Sequence, residues 1–185
     1  MKLRHGLAAS AVGMVALGAA FPLSAYGVPS TGSSIATVTL SGGSLLISVP
    51  AGPVGLATGT NTATGVILSG SLGAVTVTDT RGVITGGWTT TAASTAFIPA
   101  TSGAAVIPAT GVGYAAGTIT PTGSGTYTPT DHGAAAPGLS AAVTVVTATA
   151  IAGDATAAWN PTITVSVPAT ASADTYTATI THSVA

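Results

Sequence analysis

From residue 36 onward the chain alternates small aliphatic residues with threonine. Ala36-Thr37-Val38-Thr39-Leu40, Ala74-Val75-Thr76-Val77-Thr78 and Thr162-Ile163-Thr164-Val165-Ser166-Val167 all repeat with a period of two. Successive side chains of an extended strand point to opposite faces, so this period places the aliphatic residues on one side and the hydroxyls on the other. A helix would scatter both sets around its circumference. Half-buried strands are therefore expected at 36–40, 45–49, 65–69, 72–79, 88–97, 142–149, 162–167 and 175–181. Gly42-Gly43 reads as a hairpin turn, and Pro50 and Pro168 stop the strands that precede them. Strands this short, separated by Gly, Pro and Asp, predict an all-β fold: an antiparallel β-sandwich of immunoglobulin-like type. Residues 99–137, rich in proline and glycine, read as a loop-rich insertion with one or two short strands.

The solvent-facing side of such strands ordinarily carries ions, and here it does not. Charged residues make up 4% of 185 residues, and there is no cysteine. The near absence of positive charge excludes a nucleic-acid binder that works through a basic patch. The missing cysteine excludes disulfide scaffolds, thiolate metal sites and cysteine nucleophiles. Threonine takes over the task of keeping the surface wet, since it favours strands and still offers a hydroxyl. It does not guard sheet edges as lysine does, so the composition also points to pairing with other chains or with copies of the same one.

The first residues follow different rules. Lys2, Arg4 and His5 precede an apolar run that ends at Pro22, and Ala25-Tyr26-Gly27 offers the small residues of a cleavage site. This is the pattern of a secretory signal peptide spanning 1–27, with residues 28–185 as one exported domain. The apolar run is shorter than the ~20 residues of a membrane span. Beyond it, Arg81 is the one Lys or Arg side chain, set against Asp79, Asp131, Asp154 and Asp174.

Sites of chemistry are sparse. Glutamate is absent, and His132 and His182 are the histidines beyond the leader. Neither a nucleophile elbow nor a metalloprotease helix motif occurs, so no catalytic residue, metal ligand or cofactor is assigned. Asp131-His132-Gly133 reads as a polar turn. Asp79-Thr80-Arg81-Gly82 reads as a tight turn with a local ion pair, or alternatively as an anion- or sugar-contacting arginine. Trp88 and Trp159 each fit the space between two sheets, which is the commoner use, or the face of a sugar ring. If the domain has a contact surface, Trp88 with Arg81 and Asp79 is the set expected to form it.

Val77-Thr78-Asp79-Thr80-Arg81-Gly82, followed by Gly87-Trp88-Thr89-Thr90-Thr91-Ala92 and Phe97, resembles the first half of the WxL-type domain of Gram-positive surface proteins. More closely it resembles a related group of secreted actinobacterial proteins. The tail is similar too, through Ala158-Trp159-Asn160-Pro161-Thr162, Val167-Pro168-Ala169 and the run from Asp174 to Ala185. The likeness covers 35–98 and 140–185. It implies an exported all-β domain held non-covalently on the cell wall through peptidoglycan, at the cell surface, with a wall polymer or other surface proteins as partners. The two motif positions read Trp88-Thr89-Thr90 and Thr181-His182-Ser183 here, so of the motif residues only Trp88 carries over. Self-assembly into a surface fibre or coat is the alternative reading.

Overall fold

A computed structural model describes residues 33–185; the expected leader at 1–27 lies outside the described residues. The chain divides into two compact units, one ending at Val38 and one of Thr39–Ala185. Among the described residues no helix is long and apolar enough to cross a membrane.

The unit Thr39–Ala185 is all-β. Its strands are β1 (Leu45–Ser48), β2 (Val66–Ser71), β3 (Val75–Ser94), β4 (Ile98–Pro99), β5 (Val112–Ala115), β6 (Thr120–Thr122), β7 (Thr126–Pro129), β8 (Val143–Trp159), β9 (Thr162–Val167), β10 (Tyr176–Thr177) and β11 (Ile180–Val184). A 3-10 turn, Ala109–Gly111, leads into β5. All strand pairs are antiparallel, in a six-stranded sheet ordered β1-β3-β8-β6, with β11 also on β3 and β7 also on β8. A three-stranded sheet runs β2-β9-β5, and β10 pairs β4. The sheets pack against each other, so the antiparallel sandwich expected from the alternation is what forms.

Two long strands dominate. β3 has 20 residues and β8 has 17, where the sequence suggests breaks at Arg81-Gly82 and after Thr149. The chain does not turn back at these places. It bulges, with register irregularities between Asp79 and Val83, Val83 and Gly86, and Gly86 and Trp88. Gly82 takes φ +63°, a conformation that suits glycine, and on β8 the matching distortion falls at Ala150 (φ 54°) and Gly153 (φ 73°). The ribbon consequently folds over on itself. Val75 and Trp88 are thirteen positions apart, which in a straight strand is about 40 Å. Yet Trp159, the register partner of Val75, stacks on Trp88 with ring centroids 6.5 Å apart.

The folded ribbon and the β2-β9-β5 sheet enclose one apolar cluster. It holds Val75 and Val77 from β3, Val145, Val146, Ile151 and Ala157 from β8, and Val112, Ile163 and Val165 from the second sheet. The loop-rich stretch at 99–137 is woven into it: Ile107, Val112, Tyr114 and Ala116 are buried. Two expected strands differ. Residues 175–181 divide into β10 and β11, which pair with different partners. Residues 36–40 form no strand, and Val38 and Leu40 are 93% and 91% exposed. The hairpin at Gly42-Gly43 is not made because that dipeptide lies along β3 instead. Gly43 N–H donates to the Thr80 carbonyl at 2.6 Å, and a β-carbon on Gly42 would overlap the Arg81 carbonyl.

Candidate functional site

Asp79, Arg81 and Trp88 do come together, at the corner where the ribbon folds. Val75, Val77 and Asp79 share the inner face of β3, so Asp79 is carried inward with the core residues and is wholly buried. A buried carboxylate must be paired and hydrogen-bonded. Arg81 meets that need in a forked arrangement: Nε–H donates to Asp79 Oδ1 at 2.9 Å and a terminal N–H donates to Oδ2 at 2.8 Å. The Arg81 backbone N–H adds a bond to Oδ1 at 3.1 Å. The same terminal nitrogen reaches the Gly87 carbonyl at 2.9 Å, closing the bend from one arm to the other. These Arg81 hydrogen bonds hold the Asp79 carboxyl below its ordinary value, against the opposing effect of burial. The pair is a brace for the corner. The bulge replaces the tight turn expected at 79–82, and with Asp79 buried its carboxylate is not a surface contact.

Trp88 takes the commoner of its two expected places, between the sheets, rather than the contact surface. It is 4% exposed, with Trp159 stacked at an interplanar angle of 18° and Tyr127 tilted against it at 5.9 Å. Trp88 and Tyr127 both register with Ala148, whose small side chain leaves room for the rings to meet. A ring covered by these neighbours cannot stack on a sugar. Trp88 fills volume in strands otherwise built of Ala, Val and Thr.

A second polar group lies within the core. Trp159 Nε1–H donates to Tyr114 Oη at 2.8 Å, and His182 Nε2 lies 3.1 Å from that oxygen. This ties β5, β8 and β11 at one phenol. Burial pushes the Tyr114 hydroxyl up to about 12 and pushes the His182 imidazole down. His182 Nδ1 and Thr90 Oγ1, two register positions apart on the paired strands β11 and β3, are buried with no hydrogen-bond partner among the described residues. Charging this imidazole would put a cation among apolar groups. The unfolded chain takes that proton near pH 6.5 and the folded chain only at lower pH. Stability is therefore whole above about pH 6.5 and declines as pH falls below it. Thermal melts at pH 5 and pH 8 should differ by less in His182→Asn than in the parent; equal differences in both would remove this assignment.

His132 and Asp131 act as staples. His132 bridges to Tyr114 through both backbone groups, and its Nε2–H donates to the Thr144 carbonyl at 2.7 Å. Asp131 Oδ1 accepts the Ala116 N–H at 3.1 Å. Among the described residues no group of three potential metal-ligating side chains occurs. Two hollows among the described residues hold about 170 and 270 Å³, lined chiefly by Thr and Ala, with Asp79 and Asp154 at the first and Trp159 and Asn160 at the second. Both fall below the usual range of small-molecule pockets.

The outward faces carry the feature that sequence spacing hides. Leu46, Thr78, Thr156 and Thr122 stand in register across β1, β3, β8 and β6. On the other arm Thr89, Thr147 and Thr128 align, and Ser183, Thr91 and Thr144 form a neighbouring row. The hydroxyl-bearing side chains lie about 4.8 Å apart across strands and about 6.7 Å apart along them. These rows come from segments with no fixed period, so only pairing reveals them. Comparisons with family models, with curated proteins and with solved structures return no match to this chain.

Proposed function

We propose that this chain is an exported, non-enzymatic structural module of the cell surface, held non-covalently on wall glycan through its threonine-bearing sheet faces. The observation that supports this reading is the registered hydroxyl rows on sheet faces almost free of charge. A glycan strand is a ladder of hydroxyl and acetamido groups, and a row of threonines meets it with hydroxyls for hydrogen bonds and methyls for sugar faces. The leader-like start and the resemblance to wall-associated surface domains point the same way. The contact surface moves from Trp88, Arg81 and Asp79 to these rows.

The purified chain is expected to sediment with insoluble peptidoglycan. Glutamates at the exposed row positions, Thr122→Glu with Thr128→Glu, should release it to the supernatant without lowering its melting temperature. Recovery of the parent chain wholly in the supernatant would end the proposal.

A further inference from the structure

Sulfur is missing from most of this chain. There is no cysteine, and the methionines are Met1 and Met14, so residues 15–185 hold neither of the side chains that oxidants attack first. Tryptophan and tyrosine are the next to give up an electron. Beyond residue 27 they are Trp88, Tyr114, Tyr127, Trp159 and Tyr176. All but Tyr176 meet in one continuous line.

The line begins at Tyr127 on β7, a half-buried residue whose hydroxyl donates to the Ser124 carbonyl at 3.3 Å. Its ring lies 5.9 Å from that of Trp88 on β3, and Trp88 stacks on Trp159 of β8 at 6.5 Å. Trp159 Nε1–H donates to Tyr114 Oη at 2.8 Å, which carries the line into the second sheet at β5. The end is His182 on β11, its ring edge-on to Tyr114 at 5.6 Å and its Nε2 at 3.1 Å from the phenol oxygen. Trp88, Trp159 and Tyr114 are buried, whereas Tyr127 and His182 are only half-buried. Tyr176 stands apart, its hydroxyl donating to the Ser172 carbonyl.

The hydrogen bonds at the inner end also place the protons. Tyr114 Oη accepts the indole N–H, and among the described residues His182 Nε2 is the acceptor within reach of its own O–H. An imidazole that accepts at Nε2 carries its ring proton on Nδ1. Burial keeps both the phenol and this imidazole neutral. A phenol held in this way can lose an electron and a proton together. Once oxidised it is a far stronger acid than imidazolium, so the proton crosses to Nε2 although burial disfavours the cation.

We infer that Tyr114 is a one-electron redox site, reached through Trp159, Trp88 and Tyr127 by a small diffusible radical oxidant, with His182 as its proton acceptor. One electron passes from Tyr114 along this line to the oxidant, which is reduced by one electron. The Tyr114 O–H bond breaks and the proton bonds to His182 Nε2. Tyr114 is left as a neutral phenoxyl radical and His182 as an imidazolium, with Trp159, Trp88 and Tyr127 unchanged. An electron returned by a reductant brings the proton back to the phenol. The oxidising equivalent is thus held on a buried ring, away from other molecules. The threonine rows play no part in this step, so it stands apart from glycan binding.

The purified chain, illuminated with a ruthenium polypyridyl complex and a sacrificial electron acceptor and then frozen, is expected to show a phenoxyl radical by electron paramagnetic resonance. Tyr114→Phe keeps the ring without the O–H and should lose the signal. Trp88→Phe should lower its yield severalfold, and Tyr176→Phe should leave it unchanged. If Tyr114→Phe does not fold, the high-field spectrum decides: the g value should carry the shift of a hydrogen-bonded phenoxyl, and His182→Asn should alter that shift. No phenoxyl radical in the parent, a signal intact in folded Tyr114→Phe or lost in Tyr176→Phe, or a g value indifferent to His182→Asn overturns the inference.

Discussion

Replacing Trp88 by alanine is expected to destabilise the domain by about 3–5 kcal/mol, the range for deleting a large buried aromatic. The ring is stacked on Trp159 at 6.5 Å and tilted on Tyr127 at 5.9 Å, and its register partner Ala148 is too small to fill the hole. Trp88 also joins the two arms of the folded ribbon, so the loss falls on the contact that keeps the fold closed. Domains of this size have about 5–15 kcal/mol in total, and the melting temperature should drop by about 10 °C or more. A thermal melt followed by circular dichroism checks this. An unchanged melting temperature together with lost glycan binding would return Trp88 to the role of a surface contact.

Asp79→Ala is the second large effect, expected at about 2–3 kcal/mol. Removing one member of a wholly buried pair typically costs about 3–5 kcal/mol. Arg81 keeps 33% of its side chain exposed and can recover some hydration, which brings the loss down. The corner should loosen first, because Arg81 loses the anchor from which it reaches the Gly87 carbonyl. The pH dependence has a definite sign. The Asp79 carboxyl lies below its ordinary 3.8 in the folded chain. Its contribution is therefore complete above that pH and is lost as pH falls through the lower folded value. Urea titrations of the parent and of Asp79→Asn between pH 2 and 6 should diverge above about pH 4 and converge in acid. Parallel curves would show that the pair adds nothing to stability.

Much of this architecture is legible in single segments. Thr162 to Val167 is a strand whose apolar face alternation alone decides, and Leu45 to Ser48 and Val66 to Ser69 are legible as short aliphatic runs ended by turn residues. The corner is not legible, because glycine at positive φ serves a bulge as readily as a turn. Asp79-Thr80-Arg81-Gly82 carries the composition of either. Only the pairing of β3 with β8 on both sides of that point selects the bulge. The fate of residues 36–40 is hidden for a similar reason. Their pattern specifies a strand but names no partner, and Gly42-Gly43 found a place along β3.

The same limit applies to the site. The sequence singled out Asp79, Arg81 and Trp88 as a group, and they are one in space, but as the brace of a folded ribbon. Tyr114 gave no sign of its place between Trp159 and His182, since those residues are 45 and 68 positions away from it. The threonine rows were equally invisible, being a property of register across strands.

By itself the sequence determined that the chain would be extended, which face of each alternating strand would be apolar, and that hydroxyls would do the work of charges, because side-chain period and solvation act locally. Tertiary structure decided where the strands bend, which edges are closed and which polar residues are buried. Those outcomes depend on contacts between segments far apart in the chain, whose free energies no single stretch of residues contains.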